Sequence, residues 1–397
     1  MSLASPVAAL ATAQGARVVH NRVLLVLLLA AVAAVLGLAF ISVAPNRLVS
    51  GRGVPLFGLM SDARHGLWLP ALALGGAVFV APRATLHAAV TLVASLTLAG
   101  LTWLAGHEAA LQSAASSSLA RVSLGGAFWI LALLAWLAAA DALQRWRLPR
   151  GGHLLAHAAL WLPSIALGLA GELDALSLLK EYANRQEVFD TAGLRPLQIV
   201  GATLLPSLLI GVPLGVAAAR HARFSKPLFA LLNIIQTVPS IALFALLIAP
   251  LAALATALPG WGIQGIGLLP AVMALTMYAL LPIVHGTAAG LAQVPAAAIE
   301  AARGMGMTPR QSFWRVEVPL ALPVLLSGLR VTTVQIIGLA VVAALIGAGG
   351  YGALVFQGLA SSALDLVLLG VLPVVLLAVI ADTALAGLVA TLPGPAR

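Results

Sequence analysis

Ten apolar stretches, most of them about 20 residues long, dominate this 397-residue chain and constrain its fold more than any other feature. A helix needs about 20 mostly apolar residues to cross the hydrocarbon core of a bilayer. Only 8% of the residues are charged, against about 25% in an ordinary soluble domain. A chain so poor in polar groups cannot cover a water-facing surface. Soluble folds are excluded, and the long apolar runs also exclude disorder and fibrous repeats. The runs lack the period-2 alternation of barrel strands, so helices are the expected spanning form. The reading is therefore an all-α polytopic membrane protein with about ten transmembrane helices. They are expected near Val23–Val43, His65–Ala81, Ala84–Ala105, Val122–Ala140 and His153–Gly171, then Leu197–Ala219, Leu228–Ala255, Ile266–His285, Leu320–Ile346 and Leu364–Val389. The second is short and holds Pro70. The first ends on small residues, Ser42 and Ala44, as a signal peptide does. Its length exceeds the roughly 7–15 apolar residues of a signal peptide, so it reads as a retained helix.

Charge then sets direction. The formal net charge of +9 would suggest nucleic acid if it formed a patch. Instead the basic residues, all Arg except Lys180 and Lys226, lie in short clusters between the apolar runs. The positive-inside rule puts both termini in the cytoplasm of a bacterial inner-membrane protein. Arg17, Arg22, Arg83, Arg145–Arg147–Arg150, Arg220–Arg223–Lys226, Arg303–Arg310–Arg315 and Arg397 then lie inside. Arg47, Arg52, Arg64, Arg121, Lys180, Arg185 and Arg195 lie outside. The first external loop, with three Arg, is the exception. The longest polar segment, residues 172–195, divides about five membrane helices within 1–171 from a C-terminal core at 196–391. Its Leu176–Tyr182 run suits a short amphipathic helix on the outer face.

Zero cysteines exclude disulfides, thiolate chemistry and Cys-ligated metals. His153 and His157 have a metal-capable spacing without an acid beside them, and His107-Glu108 meets Leu111 where a zinc protease needs its second His. No metal site is expected. No stretch reads G-x-x-x-x-G-K-[ST], so no nucleotide or other cofactor is expected on this chain.

The most informative loop is 295–319. Pro295 starts a helix of high propensity over Ala296–Arg303, Gly304 and Gly306 end it, and Thr308 with Pro309 can start a second. On physics alone, two readings fit: a rigid connector whose alanines admit another protein's surface, or an amphipathic loop resting on lipid. Glu300-Ala301-Ala302, then Gly306 separated by nine residues from Val316, then Glu317, Val318 and Pro319 resemble the EAA loop of binding-protein-dependent ABC importer permeases. Val replaces the family's Ile and Leu at 316 and 318. Ile210-Gly-Val-Pro-Leu-Gly, Ile235-Gln-Thr-Val-Pro-Ser and Ile346-Gly-Ala-Gly-Gly-Tyr-Gly are similar to the osmoprotectant branch, which takes up glycine betaine, choline and carnitine. The resemblance runs from about Arg195 to Leu388.

That resemblance implies a type I importer core working with cytoplasmic ABC ATPase subunits that hold ATP–Mg, an extracytoplasmic solute-binding protein, and a second permease, identical or homologous. By the same resemblance, Glu300, Ala301, Ala302, Gly306, Val316 and Pro319 belong to the ATPase-coupling loop. Candidate pathway-lining residues are the polar stripes Asn233, Gln236, Thr237 and Ser240, broken by Pro239, and Thr332, Thr333 and Gln335. Such residues equally suit interhelical hydrogen bonds. The Gly347–Gly352 cluster, Gly211 and Gly215 suit close packing or a bend. Asp141, Asp365 and Asp382 are placed near span ends, able to reach water, while Arg330 sits inside the ninth span within reach of the interface or Glu317. Trp and Tyr are too scattered along the chain to mark a cation cage. An importer for methionine or another amino acid is the alternative. An ion-coupled secondary transporter or an intramembrane enzyme fits less well, because neither central acids nor catalytic motifs are evident.

Overall fold

The computed structural model describes residues 19–46, 49, 51–59, 68–115, 120–146 and 150–391. Arg17, Arg47, Arg64, Arg147, Arg397 and the start of the second expected span lie outside these residues. The chain forms two compact units, Met1–Lys180 and Glu181–Arg397.

The first unit contains α1 (Arg22–Gly37), β1 (Ala39–Ala44), β2 (Arg52–Pro55), α2 (Leu56–Leu59), α3 (Trp68–Ala77), α4 (Ala84–Ala115), β3 (Arg121–Leu124), α5 (Gly126–Arg145), α6 (Arg150–Ala159) and α7 (Leu162–Leu169). The boundary runs through α8 (Ser177–Asn184). A small antiparallel sheet, ordered β2-β1-β3, interrupts what the sequence reads as spans one and four. Ile41 faces Val54 on one side and Leu124 on the other. The helix stops at Gly37 because Leu38 is extended, and Phe40-Ile-Ser-Val favours a pleated strand. Phe40, Ile41 and Val122 are fully buried, and Phe40 meets Phe128 edge-on at 5.8 Å. Asn21 caps α1 by accepting from the Leu24 N–H at 3.0 Å. Its side-chain amide donates to Asp141, which also receives Arg145 at 2.9 Å.

The second unit contains α9 (Gln186–Ala192), α10 (Leu194–Arg220), α11 (Ala222–Thr237), α12 (Ser240–Ala257), α13 (Leu268–Ala292), α14 (Ala296–Gly304), α15 (Pro309–Ser312), a π-helical turn at Phe313–Glu317, α16 (Val318–Ala343), α17 (Tyr351–Ala360) and α18 (Leu364–Thr391). Its core is built on α13, with Ala271, Ala274, Leu275 and Ile283 packed among Ile199, Phe244 and Ile336. Lipid tails are as apolar as leucine, so burial alone does not select helix partners in a bilayer; close packing does. Gly211 and Gly215 of α10 let Ile283 and Thr287 of α13 approach, and a Cβ at Gly215 would lie 2.5 Å from Thr287 Cβ. Gly286 and Gly328 give α13 and α16 the same intimacy, at 3.2 Å.

Among the described residues, seven helices are long and apolar enough to cross a membrane: α4, α5, α12, α13 and α18, with α10 counted together with α9, and α16 with its preceding turns. The chain is a multi-pass integral membrane protein. The expected count of about ten is approximate: the other three runs do not form one helix of that length among the described residues, where α1 has 16 residues, α3 has 10, and the fifth run breaks between α6 and α7. The single span expected over Leu228–Ala255 is two helices. Val238 is extended before Pro239, whose ring disfavours helical backbone in the residue ahead of it.

Candidate functional site

The loop 295–319 folds as the residues dictate. In α14 only Ala302 is buried, with no exposure at all; Glu300 and Ala301 face outward. The helix ends by wrapping its orphan carbonyls. The Met305 N–H donates to Ala301 O at 3.0 Å and the Met307 N–H to Ala302 O at 3.1 Å. Gly306 sits between them at φ +77°, the left-handed region that favours glycine, with open space where a Cβ would point. Thr308 then caps α15 through a reciprocal box. Its hydroxyl accepts from the Gln311 N–H at 3.3 Å, and Gln311 Oε1 accepts from the Thr308 N–H at 2.9 Å.

A π-turn follows, in which Phe313 and Val316 turn partly inward while Trp314 and Arg315 stay exposed. Glu317 is buried and receives Arg220 Nη2 at 2.6 Å. The same guanidinium lies over the Phe313 ring, 5.5 Å from its centre. The end of α10 is thereby clamped to the start of α16 through the loop. Pro319 continues the line as an exposed residue in the first turn of α16. Glu300, Ala301, Met305, Gly306 and Pro309 are all exposed on the loop. In the sequence Arg220 is one of the basic residues that mark topology, and nothing local in the chain pairs it with Glu317.

The polar stripes are placed differently from one another. Gln236 Nε2 donates to the Tyr278 carbonyl at 2.7 Å, and Tyr278 Oη donates to the Val238 carbonyl. The Val238 carbonyl at the Pro239 break is thus satisfied from α13, as unwound backbone at membrane depth requires. Asn233 is exposed, and Ser240 and Gln335 are half-buried. Thr333, expected among the lining candidates, is buried and donates to its own helix at Leu329 O (2.8 Å); Thr332 does the same to Gly328 O (2.9 Å). Both hydroxyls are therefore turned into helix packing, away from any open face of the chain.

Other expectations concern charged and aromatic residues. Asp382 lies about two and a half turns from the end of α18. It receives Arg330, with Nη2 at 2.6 Å from Oδ2, so Arg330 pairs with α18 and not with Glu317. Asp365 does sit at a helix end, in the first turn of α18. Aromatic residues scattered in sequence meet in space: Tyr182 meets Phe189 edge-on at 5.1 Å, and Phe189 meets Tyr351 at a tilt at 5.0 Å. The contacts link α8, α9 and the start of α17. Gly347, Gly349 and Gly350 all have φ near +80°, which turns the chain sharply out of α16 into α17. His157 Nδ1 bonds the His153 carbonyl at 2.8 Å, which occupies one nitrogen of that pair.

Two families match successive parts of this chain. Residues 20–179 match the family described as "ABC transporter permease YehY, N-terminal domain". Residues 211–392 match the "Binding-protein-dependent transport system inner membrane component". The osmoprotectant import permease protein OsmW of Salmonella typhimurium is 42% identical over 186 residues, 47% of this chain and 83% of that protein. OsmY of the same organism is 42% identical over 196 residues, 49% of this chain and 78% of its own. The glycine betaine/carnitine/choline transport system permease protein OpuCD of Bacillus subtilis is 36% identical over 180 residues, 45% and 73% respectively. With a glycine-packed helical core and the EAA-type loop in the segment these proteins share, the chain belongs to the permease subunits of binding-protein-dependent ABC importers, on their osmoprotectant branch.

Proposed function

We propose that this chain moves quaternary-ammonium osmoprotectants of the glycine betaine and choline type across the bacterial inner membrane, driven by ATP hydrolysis on separate ATPase subunits. A solute-binding protein delivers the solute from outside, and two permeases, identical or homologous, enclose the pathway. Both termini and the loop 295–319 face the cytoplasm. The observation that carries this reading is the clamped loop: an exposed stretch with Glu300, Ala301 and Gly306 alongside Arg303, Arg310 and Arg315, joined to two membrane helices through Arg220 and Glu317. A surface held this way transmits displacement. When ATP closes the ATPase pair, the loop moves with its groove, and the rigid link passes that motion to α10 and α16. The ATPase states then bias inward-open against outward-open by differential contacts, as coupling between sites requires.

The test is uptake of radiolabelled glycine betaine by cells that carry this importer alone. Gly306→Asp places a charge on the docking surface at a backbone position that Asp adopts more readily than most residues. The chain should remain in the membrane while uptake falls about tenfold or more, inside the range that losing about 1–3 kcal/mol of coupling produces. Uptake at the wild-type rate would remove the coupling role from this loop. Methionine competing with glycine betaine would move the solute class to amino acids.

A further inference from the structure

The first unit contains an apolar slot of about 430 Å³ between α1, α3, α4 and α5. It follows α1 from Leu24 to Leu36, about 18 Å at 1.5 Å per residue. Leu28, Val32, Leu72 and Leu131 are typical of its wall. Among the described residues lining it, Thr97 carries the one side-chain hydroxyl, which already donates to the Val93 carbonyl at 2.7 Å, and the Trp68 indole is the one other side-chain polar group. Water needs two or more partners, so the slot is hydrocarbon space. Phe57 stacked on Trp68 at 5.4 Å lies at one end.

At the other end the environment reverses. A small recess that shares Leu24 with the slot is bordered by His20, Asn21, His87 and Arg145. Arg22 and Arg83, the first residue of α1 and the residue before α4, are exposed at the same end. Asp141 is the one acid there among the described residues, and Asn21 and Arg145 already hold it. The collar is therefore positive in excess.

We propose that this slot and collar bind an anionic glycerophospholipid, with one acyl chain along α1 and the phosphate among Arg22, Arg83 and Arg145. The slot's shape and chemistry commit it to that occupant. A helix of another chain is about 10 Å across and does not fit a cavity of this volume. An acyl chain is long, narrow and abundant at this depth. Basic recesses at helix ends, where the membrane meets water, recognise anionic headgroups.

The experiment uses the full chain, purified and placed in nanodiscs holding equal amounts of phosphatidylglycerol and phosphatidylcholine. Native mass spectrometry then counts retained lipid. The wild type should keep one phosphatidylglycerol in preference to phosphatidylcholine by about fivefold or more, as contact with basic groups at a membrane surface gives. Ala31→Phe, which fills the slot wall, should lose retention of both lipids. The double variant Arg22→Gln/Arg83→Gln leaves the slot open and should lose the preference while still holding lipid. Equal retention of both lipids by the wild type overturns the proposal. So does retention by Ala31→Phe at the wild-type level. If Ala31→Phe fails to insert, the double variant decides alone, and an unchanged preference overturns the proposal.

Discussion

At Glu317 one carboxylate joins two membrane helices and an aromatic ring. Glu317→Gln keeps the shape and removes the charge that Arg220 approaches at 2.6 Å. Arg220 is half exposed, so solvent screens the pair and the expected loss is about 1 kcal/mol. Uptake should fall with the chain still inserted, and Arg220→Lys should behave alike, since an ammonium cannot lie flat over Phe313. Wild-type uptake by both variants would show the clamp to be idle. A second charge, Lys180, lies outside the spanning helices and donates to Ser113 Oγ and Ala120 O, each at 3.1 Å. Burial first, and the nearby Arg121 second, hold its ammonium below the usual lysine range. The sign follows from proton counting. Between the lowered folded value and 10.5, the unfolded chain binds more protons, so stability rises with pH through that window. Melting of the detergent-solubilised protein should therefore gain more as pH rises towards 10.5 in the wild type than in Lys180→Met; equal gains would contradict the linkage.

Helix contacts in the second unit test a different scale. Gly215→Ala forces a Cβ into Thr287, and overpacking of this kind costs about 1–3 kcal/mol. Gly338→Ala in α16 meets nothing within 4 Å and should be neutral or stabilising, because alanine is the better helix residue. A melting series that ranks Gly215→Ala below the wild type and Gly338→Ala at or above it would establish the glycine contacts as the packing device; the reverse order would refute them. These contacts were partly legible in the sequence, since Gly211 and Gly215 stand four apart on an apolar run. The loop 295–319 was legible almost residue by residue, because caps and glycine stops are local chemistry. The strands were not. Phe40–Val43 lies inside an apolar run whose hydrophobicity is the same for helix or buried strand, and periodicity cannot separate the two. The Arg220–Glu317 and Arg330–Asp382 pairs escaped for another reason: their partners lie far apart in the chain, and only packing brings them together.

For the whole molecule, the placement of Asp382 alters one line of reasoning. An ion-coupled transporter was disfavoured for want of acids at membrane depth, yet Asp382 and Arg330 sit inside their helices with about 40% of each side chain exposed on the isolated chain. Charges facing lipid are costly, so a pair with this exposure belongs against a second protein surface or a hydrated path. Membership of the ABC permease family, not the absence of acids, is what now argues against ion coupling. Orientation is the remaining property of the whole chain, and its composition makes the test clean. With no native cysteine, every introduced thiol reports alone. Gln311→Cys and Gly260→Cys place thiols at exposed positions at opposite ends of α13. A membrane-impermeant maleimide added to intact spheroplasts should label the residue at 260 and leave 311 untouched until the membrane is opened. The basic residues of the 220–226 and 303–315 segments require that order under the positive-inside rule. Labelling of 311 in sealed spheroplasts would invert the molecule and place its loop beyond the reach of any cytoplasmic ATPase.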